Sequence, residues 1–171
     1  MKKILIPTDF TVKSLILVRE TIEQATEEKI QIVLVHGIQP PSSITELLFF
    51  SKSKLINSLQ TEEFINACKL IKSKYQSRIS SMYVDIIMGN NRSYFHNYLT
   101  GNQIDEIYFP LNYKMAVKHP LSFDIIHLLK KCPIKSTALD CLQNPVNINA
   151  ETEQISDLFF TKLQTVNLHE A

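Results

Sequence analysis

The chain has 171 residues, 44% hydrophobic and 20% charged, and a formal net charge of +1. Eighteen basic residues against seventeen acidic ones give no field that would draw the chain to nucleic acid or a membrane surface. Only three glycines occur, Gly37, Gly89 and Gly101, no two closer than twelve positions, which excludes the clustered glycine loops that cradle phosphates.

Length and apolar content suit one domain with a sizeable core. No apolar run approaches the roughly 18 residues of a transmembrane helix, and Ile4 to Pro7 is too short for the apolar part of a signal peptide. Cys68, Cys132 and Cys141 form no CxxC pair and cannot all pair with one another, so free thiols in the cytoplasm are expected.

Ile4-Leu5-Ile6 before Pro7 reads as a strand buried on both faces, with Thr8 and Asp9 placed to cap the next element. Val12 to about Glu27 has helical apolar spacing, and Ile30 to Val35 makes a second buried strand ending at His36-Gly37-Ile38. Together these form a parallel, right-handed βαβ unit. Pro40-Pro41-Ser42-Ser43 breaks the chain before the apolar patch Leu47 to Phe50. One long helix is then expected through Leu55 and Ile71, and Met82 to Ile87 reads as a third strand closed by Met88-Gly89. A short helix from Arg92 to Leu99 has Gly101 in the C-cap position, and Ile104 to Phe109 gives a fourth strand stopped by Pro110. Residues 111–120 read as a loop, Leu121 to Cys132 as a helix ended by Pro133, and Ile134 to Leu139 as a fifth strand.

This order implies an α/β domain with a Rossmann-like open five-stranded parallel sheet, strand order 3-2-1-4-5, and helices on both faces. The domain spans 1–140. Residues 141–171 supply a linker around Pro145 and a C-terminal helical extension, about Glu151 to Leu163, expected to pack on the domain or on a partner.

In this arrangement the sequence resembles a universal stress protein domain. The match rests on Ile4-Leu5-Ile6-Pro7-Thr8-Asp9 with Ser14, on Val33-Leu34-Val35-His36, on Val84 to Gly89, on Ile104-Asp105-Glu106-Ile107 and on Cys132-Pro133-Ile134. It covers residues 1–140. Nucleotide-binding members carry glycine, two residues, glycine, nine residues, then glycine and serine or threonine after the fourth strand. Here those positions hold Pro110, Tyr113, Phe123 and Asp124. Pro110 has no N–H, the two rings put bulk where phosphate would rest, and Asp124 puts a carboxylate at a helix start that would otherwise attract an anion.

The resemblance therefore implies a protein that does not bind ATP, has no cofactor, and acts in a stress response through a homodimer or another protein partner. The alternative is a small-molecule or adenine-nucleotide binding protein using the crevice around Asp9. Candidate ligand-binding residues are Asp9, His36, Gly89 and Lys114. In the family the aspartate matching Asp9 contacts adenine, whereas capping of the first helix is the plain structural role. Lys114, Lys118 and His119 form a small basic loop beside the crevice. No nucleophile and base are placed together by spacing, Cys132 and His127 being poorly aligned, and no zinc spacing occurs, so neither catalysis nor a metal is expected.

Overall fold

The structure, a computed structural model, describes residues 1–140. Its centre is a parallel sheet of β1 (Lys2–Pro7), β2 (Ile30–Ile38), β3 (Ile79–Met88), β4 (Glu106–Pro110) and β6 (Ser136–Leu139), in the order β3-β2-β1-β4-β6. The 3-2-1-4-5 order read from the sequence is the observed one. A short additional strand, β5 (Ser122–Phe123), runs antiparallel to the end of β2.

The helices are α1 (Ile16–Gln24), α2 (Ile44–Leu48), α3 (Lys52–Leu59), α4 (Glu62–Lys74), α5 (Arg92–Gly101) and α6 (Ile126–Leu129). Alternate residues of the central strands feed two cores. Ile4, Ile6, Ile32 and Leu34 face Leu15, Val18, Ile22, Phe64 and Ile71. Leu5, Val33, Val35 and Ile107 face Phe95, Leu99, Ile126, Leu128 and Leu129 on the other side. A strand buried on both faces must be apolar at every position, which is why β1 and β2 show continuous runs instead of alternation.

At the amino-terminal edge of the sheet, Glu106 is buried and accepts from Lys2 Nζ at 2.7 Å and Lys135 Nζ at 2.9 Å. One carboxylate thus ties the starts of β1 and β4 to the segment entering β6. Its own burial disfavours the charged form, but the two ammonium groups outweigh that and hold it below the usual carboxylate range.

Four local readings need correction. The long second helix is two helices: Thr61 accepts from Phe64 N and starts α4 afresh after the extended Gln60. Gly101 is the last helical residue and not the cap; Asn102 folds back onto Tyr98 O and Gln103 takes the left-handed conformation at φ 54°. Pro110 stands inside β4 as its last residue. Leu121 to Cys132 is not one helix but β5 followed by the four-residue α6. That segment's apolar spacing fits a helix and a short strand equally, and tertiary pairing with β2 decides for the strand. The C-terminal helix lies outside the described residues.

The pairing of β5 with β2 depends on Gly37. A Cβ there would stand 2.8–3.0 Å from three ring carbons of Phe123, so the bare backbone is what lets the ring lie on the strand. Gly37→Ala is expected to cost about 1–3 kcal/mol through this overlap. In a Phe123→Ala background the same change should cost much less. A double-mutant cycle by urea denaturation measures the coupling, and simple additivity would show that the ring does not depend on the missing methyl.

Candidate functional site

Strand order reverses between β1 and β4, and in open α/β sheets that is where ligands enter, beyond the carboxyl ends of the strands. Three of the four candidate residues belong to this edge of the sheet, on different elements. Asp9 follows β1, His36 is near the end of β2, and Gly89 follows β3. Lys114 lies on the loop after β4.

Asp9 is fully buried. Its Oδ1 accepts from Thr11 N at 3.1 Å and from the Thr11 hydroxyl at 2.6 Å. Its Oδ2 accepts from the Tyr113 hydroxyl at 2.5 Å and from Ala116 N at 2.8 Å. Burial works to raise this carboxyl's pKa, but these donors prevail and hold it below its ordinary value. Asp9 does not cap α1. That helix begins at Ile16 after a single 3-10 turn, with no side chain on its first amides. The turn after β1 is closed by other groups: Thr8 Oγ1 accepts from Phe10 N, and the Thr8 and Ser14 hydroxyls are 2.9 Å apart. Phe10 takes φ 62°, a conformation uncommon for a bulky residue, and its ring is buried 5.2 Å from the His36 ring and 5.6 Å from that of Phe64.

His36 is 4% exposed and does not pair with Asp9. Nδ1 lies 2.8 Å from Thr8 O and Nε2 lies 2.8 Å from Ser122 Oγ. A carbonyl can only accept, so Nδ1 carries the proton and Nε2 accepts from the serine. Burial lowers the pKa of the ring and keeps it neutral. Ser122 is 86 positions away in sequence, and no spacing signal connects the two.

The segment after β4 therefore closes over the edge of the sheet at several points. Tyr113 and Ala116 bind Asp9, Leu121 O accepts from Gln39 N at 2.7 Å, Ser122 binds His36, and Phe123 lies on Gly37. Between Lys13, Ser14, Pro110, Tyr113 and Met115 a hollow of about 20 Å³ is left, room for roughly one water. Asp124 stands before α6, where its Oδ1 accepts from Ile126 N at 2.9 Å. Lys114 is exposed. Gly89 takes φ +95° and donates to Ile38 O, so its role is a left-handed turn between β3 and α5, two strands from Asp9.

Cys132 and His127 are not joined. The thiol points to Leu129 O, while the ring contacts Asp124 O and Asn90 Oδ1. Burial raises both described thiols, that of Cys68 to about 12, so neither is an activated nucleophile. Among the described residues no helix is long and apolar enough to cross a membrane.

An open parallel sheet with a crevice at its reversal point defines a Rossmann-like α/β protein. Among solved structures, hypothetical protein MJ0577 superposes with a TM-score of 0.50 at 23% identity, over 81% of this chain and 95% of that one. Universal stress protein UspA from Lactobacillus plantarum gives 0.47 at 12% identity, over 81% of this chain and 97% of that one. A universal stress protein in complex with cAMP gives 0.47 at 10%, over 82% and 97%. No family model and no curated protein matches the chain. The likeness to MJ0577 is one of fold, over 81% of this chain.

The state of His36 sets a pH dependence. The unfolded chain takes up a proton near 6.5 that the folded ring resists, so stability is whole above that pH and declines below it. The melting temperature should fall as pH drops from 6.5 towards 5. His36→Asn keeps a donor for Thr8 O and should flatten that stretch of the profile. An unchanged slope in the variant would assign the loss to other groups.

Proposed function

We propose that this protein is a divergent member of the universal stress protein family that does not bind adenine nucleotides and works through protein contacts in the cytoplasm. The observation that carries the reading is the occupied crevice. The acceptors of Asp9 are engaged by the chain's own Tyr113 and Ala116, and the hollow beside them has about 20 Å³ against the roughly 300 Å³ of a small ligand pocket. The replacement of the family's glycine positions by Pro110, Tyr113, Phe123 and Asp124 points the same way. Free thiols at Cys68 and Cys132 suit a reducing compartment.

Titration calorimetry of the full chain with ATP, AMP and cAMP should give no heat of binding at micromolar nucleotide. A micromolar response abolished by Asp9→Ala would overturn the proposal in favour of a nucleotide-binding crevice whose loop opens.

The assembly proposed is a homodimer through the edge strand β6, the strand by which members of the family often dimerise. Among the described residues β6 pairs only with β4, and Ser136 and Ala138 on it are exposed. An unpaired strand edge calls for cover. Sedimentation equilibrium is expected to give twice the chain mass of 19.7 kDa. A monomer at all accessible concentrations would refute this assembly while leaving the crevice reading intact.

A further inference from the structure

The least expected surface in the molecule is α2. Ile44 and Leu48 are each 77% exposed, Phe49 is 82% exposed and Leu47 46%. None of the residues of this five-residue helix is buried. Large apolar side chains gathered in one place mark a surface that something covers. At about 150–200 Å² for each large side chain, the four present roughly 400–550 Å². A stable dimer needs about 800 Å² from each partner, so a second copy is a poor fit and a single amphipathic segment a good one.

Such a segment exists in the same chain. Ile155, Leu158, Phe159 and Leu163 recur at helical spacing in the residues beyond Asp140. We infer that residues 151–163 dock with this apolar stripe on α2 of their own subunit. Three observations support the pairing.

The first is reach. β2 and β6 run parallel, so both end at the same edge of the sheet. Three strand spacings separate them, about 14 Å. α2 starts six residues beyond Ile38, at most about 20 Å further on. The eleven residues 140–150 span up to about 36 Å when extended, enough for the connection.

The second is charge. Residues 141–171 hold four acidic side chains and one lysine, which leaves seventeen basic against thirteen acidic residues in 1–140. Lys54 is exposed just past α2, and its neighbour Lys52 is bound to Asp85 at 2.5 Å. Exposed Glu46 lies within α2 and balances Lys54, so the attraction acts between the acidic tail and the domain as a whole.

The third is chemistry. The β6 strand, from which the tail departs, exposes Ser136 and Ala138. That edge offers backbone groups to a strand but nothing to a stripe of leucine and phenylalanine. α2 offers isoleucine, leucine and phenylalanine.

Hydrogen–deuterium exchange on the full chain tests the contact from both sides. Leu158→Asp with Phe159→Asp should speed exchange of amides 44–50 at least tenfold and leave β1 and β2 unchanged, which shows that the fold persists. Leu48→Asp with Phe49→Asp should do the same to amides 151–163. Unchanged exchange at 44–50 in the tail variant overturns the inference. So does protection of 44–50 that is lost on dilution, which would make a second copy the occupant. Flotation of the wild-type chain with phosphatidylcholine vesicles, abolished by the α2 variant, would overturn it in favour of a lipid surface.

Discussion

A carboxylate with no solvent exposure has to be paid in hydrogen bonds, and the placement of Asp9 organises one whole edge of this protein. It stands at the strand reversal, where an open α/β sheet is least able to cover itself. Thr11 satisfies one oxygen from within the turn. The other looks across to β4 and requires donors from outside, which Tyr113 and Ala116 provide. Once these two are fixed, the rest of the loop has little freedom. Leu121 and Ser122 come down on the end of β2, and Phe123 finds the one residue there without a side chain. The neutral state of His36 completes the fastening, because only an unprotonated Nε2 accepts from Ser122.

Much of this architecture is legible in the sequence because burial on both faces leaves a strong signal. β1, β2 and β4 are nearly continuous apolar runs, and the strand–helix alternation then restricts the sheet to a few topologies. The site was only half legible. Asp9 and His36 stand out as polar residues ending buried strands, and Tyr113 and Phe123 stand out as rings where small residues were expected. The bonds that give these residues their roles cross about a hundred positions and obey no spacing. Segment 121–132 shows the limit most clearly. Its apolar pattern suits a helix, but a strand of two residues gains nothing from local propensity and exists through Gly37 and His36. α2 differs in another way: the run from Leu47 to Phe50 suits a core or an interface alike, and Leu47, Leu48 and Phe49 are exposed.

The closed crevice and the exposed α2 are separate features of one sheet edge. At the reversal point an open α/β sheet leaves a gap that a ligand can fill. Here Tyr113 and Phe123 fill it, so the chain completes its own edge and needs no bound molecule for that purpose. A separate apolar surface stands on α2, away from the crevice. Its isoleucine, leucine and phenylalanine suit an apolar segment.

The strength of the closure decides how far this separation holds. For a ligand to reach Asp9, the Tyr113 and Ala116 bonds must break first. Each joins a neutral donor to a buried charge, worth about 1.5–3 kcal/mol. The two together set an opening cost of about 3–6 kcal/mol, before the Ser122–His36 bond and the β5 ladder are counted. A binding-competent form that is rarer by this amount weakens any ligand by roughly 10²–10⁴-fold. A ligand that would bind an open crevice with micromolar affinity would then bind at roughly 0.1–10 mM. The frame of the reversal point is kept, but its aspartate is already bound to a tyrosine, and any ligand aimed at that carboxylate has to displace it.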